Sequence, residues 1–280
     1  MNLSLKSFII RTISGIVFVI FFIGSLLWNY CSFTIFFFLI ALFGLKEFYN
    51  LTDKINVKTI RISGYLCGVL TYFAFLNTSF FLKINFEYID NLPLFLLFIP
   101  FFIYIVALLS NYQNPLESTL YTLMGILYSV VPFGLMHKLV FISEQLDYSP
   151  NFLIIIILLI WSNDTFAYLG GTLFGKHKMV EHISPGKTWE GTLIGIFITI
   201  TLCFYFQKRI EETTSLSWLI LAILIPILAT IGDLIESMIK RLAKVKDSGS
   251  IMPGHGGILD RFDSIIFVVP FTVIMIKIFT

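Results

Sequence analysis

The chain has 280 residues, of which 57% are hydrophobic and only 13% are charged. A soluble domain usually carries about 25% charged residues and does not hide this much apolar surface, so a bilayer must cover it. The formal net charge of +2 is too small to indicate a nucleic-acid partner. The three cysteines, Cys31, Cys67 and Cys203, lie far apart in apolar stretches. This spacing excludes a metal motif or disulfide framework and is typical of small hydrophobic side chains in helices.

Nine stretches are long and apolar enough to span a membrane, for which a helix needs about 20 mostly apolar residues. They lie at about 9–27, 32–49, 60–82, 92–110, 117–138, 151–170, 190–207, 216–235 and 264–280. We therefore predict an all-α, polytopic membrane protein with nine transmembrane helices. No small-residue cleavage site follows the first stretch, so we predict a retained helix there and not a signal peptide.

The basic residues predict the orientation of these helices, because Lys and Arg are enriched on the cytoplasmic side. A cytoplasmic N-terminus places 14 of the 19 Lys and Arg residues on that side and 5 on the other. Two polar loops, at 171–190 and 236–263, then face the cytoplasm. We divide the chain into N-terminal transmembrane helices (1–150) and a C-terminal catalytic region (151–280), because the charged residues beside apolar stretches concentrate in the latter.

The stretch 232–263 carries most of the chemistry and reads GDLIESMIKRLAKVKDSGSIMPGHGGILDRFD. The polar residues that follow Asp233 at i+3, i+4 and i+7, ending with Lys240, share one helix face with it. The next segment is rich in Gly and Pro and cannot form a regular helix. Asp260 and Asp263 then open the last span, again on one face.

Carboxylates at the ends of membrane helices are costly unless they are matched, which points to a function. A group of carboxylates without His or Cys partners suits a hard cation such as Mg²⁺, shared with substrate phosphates. Nearby basic residues supply charge for phosphate oxygens, and a Gly-rich turn lets backbone amides approach a phosphate. Together these features predict phosphoryl or nucleotidyl transfer. Taken singly, each has a plainer explanation, such as a helix cap or a membrane anchor.

The stretch 237–263 resembles the signature of the phosphatidate cytidylyltransferase family, S-x-φ-K-R, four residues, K-D-x-small, then P-x-H-G-G-φ-x-D-R-φ-D. Every fixed position is present: Ser237, Lys240, Arg241, Lys246, Asp247, Gly249, Pro253, His255, Gly256, Gly257, Asp260, Arg261 and Asp263. The resemblance implies that CTP and phosphatidate react to give CDP-diacylglycerol and diphosphate. The multi-span layout and the C-terminal position of the signature also look like this family.

The resemblance also implies site residues. The metal-binding aspartates map onto Asp233, Asp260 and Asp263, and a monovalent K⁺ beside Mg²⁺ is implied by the family alone. The predicted catalytic set is Lys240, Arg241, Lys246, Asp247, His255 and Arg261, with Gly256 and Gly257 binding substrate. His255 either donates to a phosphate or only shapes the loop.

A second polar region, 161–191, reads WSNDTFAYLGGTLFGKHKMVEHISPGKTWEG. Asp164 lies within an apolar helix and is predicted to bind substrate or to pair with a loop cation. Two Gly-Lys stretches here lack residues that a P-loop requires. The S-P-x-K-T-x-E-G segment resembles a recurrent loop of this family, or is an ordinary interhelical turn. It offers Ser184, Lys187 and Thr188 as phosphate or nucleotide ligands and Glu190 as an organiser.

The expected partners are CTP, phosphatidate and the bilayer, with no nucleic acid, and the sequence leaves a homodimer open. The predicted location is the plasma (inner) membrane, with the active site facing the cytoplasm. A polyprenol or diacylglycerol kinase is the alternative enzyme. The D-G-x-x-A-R start of CDP-alcohol phosphotransferases is absent. A transporter would place charges near the bilayer midplane in both halves, whereas here they crowd one side of one half.

Overall fold

The computed structural model describes residues 5–76, 96–110, 112–142, 147–207, 215–251, 254 and 256–279, without the side chains of residues 5–10 and 215. Within these residues it contains ten α-helices and one two-stranded sheet. The helices are α1 (Leu5–Trp28), α2 (Tyr30–Lys54), α3 (Arg61–Ala74), α4 (Ile99–Leu109), α5 (Pro115–Ser129), α6 (Val131–Leu139), α7 (Asn151–Phe174), α8 (Trp189–Gln207), α9 (Ser215–Leu242) and α10 (Leu259–Phe279). The strands are β1 (Lys178–Val180) and β2 (Ser184–Thr188).

Seven helical segments in the described residues are long and apolar enough to cross a membrane. They are Arg11–Trp28, Tyr30–Lys54, Pro115–Leu139, Asn151–Phe174, Trp189–Gln207, Leu216–Leu242 and Leu259–Phe279, and a shorter apolar helix covers Leu96–Leu109. The predicted all-α, polytopic membrane fold is therefore confirmed. The predicted stretch 60–82 corresponds to α3 and continues outside the described residues. The count of nine spans and the cytoplasmic N-terminus stay predictions.

The chain folds into two compact units, each built from two segments. The first unit comprises Met1–His137 with Leu242–Arg261, and the second comprises Lys138–Arg241 with Phe262–Thr280. The sequence predicted a different kind of division, at residue 150, between N-terminal transmembrane helices and a C-terminal catalytic region. That division is defined by function and stays a prediction.

Helix α2 supplies much of the core of the first unit. It begins with a capping box in which Asn29 Oδ1 accepts from Ser32 N at 2.8 Å and Ser32 Oγ accepts from Asn29 N. Its buried residues recur every three or four positions, as expected for a helix with one packed face. They include Tyr30, Phe33, Phe37, Ile40, Ala41, Leu45 and Phe48. The Tyr30 hydroxyl hydrogen-bonds with Nδ1 of the buried His137 at 2.9 Å.

In the second unit, α7 and α8 pack closely through small residues, as is common between membrane helices. A Cβ on Gly191 would lie 2.8 Å from Cα of Gly171, and one on Gly195 would lie 2.9 Å from the carbonyl oxygen of Asn163. Neither position has room for a side chain. The glycines therefore set the distance between α7 and α8, and with it the position of the β1–β2 hairpin that connects them.

Replacing Gly191 with Ala is expected to destabilise the protein, because overpacking a close helix interface usually costs about 1–3 kcal/mol. The matched control is Gly24→Ala on α1, where a Cβ would have no atom within 4 Å. Thermal unfolding in detergent should give a lower midpoint for Gly191→Ala than for wild type and the control. Equal midpoints for the two variants would contradict this packing.

Candidate active site

Three carboxylates meet in the second unit. Asp233 and Glu236 lie on α9 and Asp263 lies on α10, and one oxygen from each falls within 4.8 Å of the other two. We call these residues the acidic cluster. Carboxylates this close repel one another unless a cation or a proton reduces their charge. Oxygen ligands in this arrangement have the chemistry of a divalent-cation site.

The acidic cluster forms where α9 and α10 approach closely. A Cβ on Gly232 would lie 2.6 Å from the carbonyl oxygen of Asp263 and 3.2 Å from Cα of Ser264. Only glycine fits at this position without a shift of the backbone. Because Gly232 directly precedes Asp233, the closest approach of the two helices coincides with the carboxylates.

Two lysines pair with members of the acidic cluster. Nζ of Lys187, on β2, lies 2.6 Å from Oδ2 of Asp233 and donates to the carbonyl oxygen of Thr230 at 3.3 Å. Lys240 forms an ion pair with Glu236 one turn earlier on α9. Partly buried ion pairs of this kind are screened much less than surface pairs. The site therefore holds positive charge next to the carboxylates, as a site for a phosphate–metal complex requires.

A fourth carboxylate, Asp164 on α7, borders the acidic cluster through a serine. Ser264 Oγ donates to Asp164 Oδ2 at 3.3 Å, and Ser264 N donates to Asp263 Oδ1 at 2.7 Å. Asn163 Nδ2 donates to the other oxygen of Asp164 at 3.3 Å. Asp164 is thus hydrogen-bonded within the helix packing, and Ser264 donates a hydrogen bond both to it and to Asp263.

The predicted polar loop at 171–190 contains an antiparallel hairpin, in which β1 pairs with β2. Glu190, in the first turn of α8, holds the base of this hairpin. Its carboxylate accepts from Lys176 N at 3.1 Å and from His177 N at 3.2 Å, and it lies 2.6 Å from His177 Nδ1. These contacts are consistent with the organising role that the sequence predicts for Glu190.

The other loop residues that we predicted as ligands differ in accessibility. Thr188 is only 4% exposed, and its Oγ1 accepts from Gly191 N at 3.3 Å, so its hydroxyl is used inside the protein. Ser184 is partly buried at the start of β2. Arg241 Nε donates to the carbonyl oxygen of Ile183 at 3.2 Å and so ties the hairpin turn to the end of α9.

In the first unit, Asp260 lies in the first turn of α10 and holds the glycine-rich segment before it. Its Oδ2 accepts from Gly257 N at 2.7 Å and from Ser248 N at 2.9 Å. The amide of Gly257, which we predicted to contact substrate, is therefore used by Asp260 in this arrangement. Gly256 has a φ of +84°, a left-handed conformation that favours glycine.

The predicted site residues are distributed over both units. Asp164, Ser184, Lys187, Thr188, Asp233, Lys240, Arg241 and Asp263 belong to the second unit, while Lys246, Asp247, Gly256, Gly257, Asp260 and Arg261 belong to the first. Lys246, Asp247 and Arg261 are exposed. His255 lies outside the described residues. Sequence reasoning did not include Glu236 in the metal site, although its position at i+3 from Asp233 was the signal that would have found it.

Comparisons with known proteins cover almost the whole chain. A sequence model of the Cytidylyltransferase family matches residues 9–279. A phosphatidate cytidylyltransferase of Staphylococcus haemolyticus is 33% identical over 264 residues, which cover 93% of this chain and 96% of the relative. One of Bacillus subtilis is 32% identical over 271 residues, covering 96% of this chain and 98% of the relative. One of Staphylococcus aureus is 30% identical over 263 residues, with 93% and 96% covered.

The acidic cluster is expected to bind a divalent cation, and Mn²⁺ followed by electron paramagnetic resonance is a direct probe. Asp263→Asn should weaken Mn²⁺ binding by at least about tenfold, because it removes one of three converging charges. Asp53→Asn is the control, since Asp53 pairs with Arg61 outside the cluster. Equal Mn²⁺ affinity in wild type and Asp263→Asn would rule out the cluster as the metal site.

Proposed function

We propose that this chain transfers the cytidylyl group of CTP to phosphatidate. The chain belongs to the cytidylyltransferase family. The products are CDP-diacylglycerol, a precursor in phospholipid biosynthesis, and diphosphate. The observation that carries the proposal is the acidic cluster with its two lysines, in a chain that aligns over 93% of its length with a phosphatidate cytidylyltransferase. Carboxylates beside lysines suit a reaction between two polyanions, which must be screened from each other.

The proposed reaction is a substitution at phosphorus. A phosphate oxygen of phosphatidate attacks the α-phosphorus of CTP, and the bond from that phosphorus to the bridging oxygen of the β-phosphate breaks. The electron pair leaves with diphosphate. The attacking oxygen is already anionic, so no strong general base is required. The residues act mainly by positioning the phosphates and neutralising charge that develops on the leaving group.

Individual residues have distinct proposed roles. Lys187 and Lys240 supply positive charge beside the acidic cluster, and the roles that we propose for Arg241 and Lys246 are to bind phosphate oxygens. Asp233 and Asp263, with Glu236, would hold a divalent cation, which we propose to be Mg²⁺. When bound, Mg²⁺ neutralises phosphate charge and acts as a Lewis acid.

The roles proposed for the remaining signature residues rest on the family resemblance. These are metal binding by Asp260, catalytic roles for Asp247, His255 and Arg261, and substrate binding by Gly256. A K⁺ ion as second cation rests on the same ground. We also propose that Ser184, Thr188, Gly257 and Asp164 contribute to substrate binding. For Thr188 and Gly257 this requires that the internal hydrogen bonds described above exchange for bonds to substrate.

The protein is a multi-pass membrane protein, and we propose that it lies in the plasma (inner) membrane with its active site facing the cytoplasm. The excess of Lys and Arg on one predicted side supports this orientation. No nucleic-acid partner is expected at a net charge of +2, and a homodimer stays open.

Purified protein with phosphatidate, Mg²⁺ and each labelled nucleoside triphosphate tests the reaction. We expect CTP to give CDP-diacylglycerol and an equal amount of diphosphate. Lys187→Ala should lower kcat/KM by at least about 100-fold, because it removes charge beside the reacting phosphates. The control is Lys54→Ala, at the exposed end of α2. Transfer of the ATP γ-phosphate to a lipid alcohol would identify a kinase. If none of the nucleoside triphosphates is turned over, the result would contradict an enzyme of this class.

The orientation can be tested with a single cysteine at Gly186, in a chain whose three native cysteines are replaced by serine. A Cβ at Gly186 would have no atom within 4 Å, so the substitution should be tolerated. A membrane-impermeant maleimide should label Gly186→Cys in inverted vesicles but not in intact spheroplasts. Asp147→Cys, in a loop predicted on the other side, should show the reverse pattern. Labelling of Gly186→Cys in spheroplasts would contradict a cytoplasmic active site.

A further inference from the structure

A buried carboxylate on α2 lies outside every motif considered so far. Glu47 is only 3% exposed and lies on α2, one of the helices long and apolar enough to span a membrane. Ionisable groups inside membrane segments are costly and are usually retained for a function. Within the described part of the chain, no lysine or arginine forms an ion pair with it. Its carboxylate must therefore be stabilised by hydrogen bonds.

Three donors from the signature region satisfy both oxygens of Glu47. Oε1 accepts from Ile258 N at 2.9 Å, while Oε2 accepts from Leu259 N at 3.0 Å and lies 2.9 Å from Ser248 Oγ. Leu259 is the first residue of α10. Because the first amides of a helix have no partner within it, a carboxylate at this position caps α10 from another helix.

The arrangement requires a group that only accepts hydrogen bonds. Each oxygen of Glu47 faces one backbone amide, which can only donate, while the single proton of the Ser248 hydroxyl can go to either Glu47 or Asp260. A glutamine at position 47 would keep the size of the side chain but would turn one acceptor into an NH₂ donor. That NH₂ would face either Ile258 N on one side or Leu259 N and Ser248 Oγ on the other.

Two glycines of the signature make room for this carboxylate. A Cβ on Gly249 would lie 2.7 Å from Cδ of Glu47, and a Cβ on Gly257 would lie 2.6 Å from the same atom. Carbon atoms in van der Waals contact lie about 3.5–4.0 Å apart, so neither position has room for a side chain. The space occupied by Glu47 thus accounts for glycine at position 249, and Glu47 together with Ser248 Oγ accounts for glycine at position 257.

The hydrogen bonds also connect Glu47 to Asp260. Ser248 Oγ lies 2.9 Å from Oε2 of Glu47 and 3.0 Å from Oδ2 of Asp260, while its backbone amide donates to the same Asp260 oxygen at 2.9 Å. Glu47 therefore fixes the segment that directly holds the Asp260 side chain. It also fixes the first residue of the helix from which Asp260 projects.

We infer that Glu47 is a positioning residue for cytidylyl transfer, holding Ser248, Ile258 and Leu259 so that Asp260 keeps its orientation. The inference rests on the proposed function, because Asp260 is assigned to the reaction there. Glu47 touches neither substrate nor metal in this role. It acts through the hydrogen bonds of the signature segment, and its contribution depends on acceptor chemistry and not on charge near the phosphates.

The decisive variant is Glu47→Gln, compared with Glu117→Gln on α5 as a matched control. Glu117 accepts from the Asn114 side chain at the surface. We expect Glu47→Gln to fold but to lower kcat by at least about tenfold, with the KM for phosphatidate changed by less than about threefold. Hydrogen–deuterium exchange should accelerate in peptides that contain Ile258 and Leu259. Glu117→Gln should match wild type in all three measurements.

Ser248→Ala tests the connection independently and decides the question if Glu47→Gln does not fold. Ser248→Ala should lower kcat. In the double variant, the decrease in kcat should be smaller than the product of the two single decreases, because both substitutions act through the same hydrogen bonds. The inference would be overturned if Glu47→Gln folds, keeps a kcat within about twofold of wild type and shows unchanged hydrogen–deuterium exchange. It would also be overturned if the decreases in kcat of the two single variants multiply fully in the double variant. If Glu47→Gln does not fold, wild-type kcat in Ser248→Ala would overturn it.

The two proposals fail in different ways. If the wild-type chain makes no CDP-diacylglycerol, the proposed function fails and the positioning role falls with it. The exchange measurement on Glu47→Gln would still report whether the carboxylate holds the segment. If the wild-type chain is active and Glu47→Gln matches it, only the role of Glu47 is wrong.

Discussion

A carboxylate inside a membrane protein must be matched by a cation or by hydrogen-bond donors, since lipid supplies neither and the unmatched charge is costly. This chain meets the requirement in two ways. In the second unit, Asp233 and Glu236 pair with Lys187 and Lys240. In the first unit, Glu47 accepts hydrogen bonds from backbone amides and a serine hydroxyl. The first arrangement places opposite charges side by side, whereas the second holds a segment in place.

Both units also use glycine to let helices and side chains approach closely. Gly232 lets α9 and α10 approach where the acidic cluster forms, and Gly191 lets α7 and α8 approach beside the hairpin that carries Lys187. Gly257 leaves room for the Glu47 carboxylate in the same way. Close approach of helices is favoured in membranes because van der Waals contact, and not the hydrophobic effect, holds them together. The polar contacts of the site thus depend on tight packing directly next to them.

Much of the fold was predictable because its signals are local. Apolar runs of sufficient length predict the spanning helices, and the i, i+3 relation predicts that Asp233 and Glu236 share a face. The hairpin at 178–188 was predicted only as a loop, because its two strands are short and polar. Glu47 was not predicted at all. Its partners lie 201 to 212 residues away in the chain, and no spacing rule reaches that far. In the sequence Glu47 directly follows Lys46 near the end of an apolar run, where charged residues are common, so no local sign marked it.

The pairing of Lys187 with Asp233 and of Lys240 with Glu236 bears on how the protein is made. Many metal sites assemble only when the ion arrives, because the ligands repel one another without it. Here internal ammonium groups balance two of the three carboxylates of the acidic cluster. When α9 and α10 come together in the bilayer, the cluster and its two lysines therefore carry one net negative charge and not three, which lowers the electrostatic cost of their assembly.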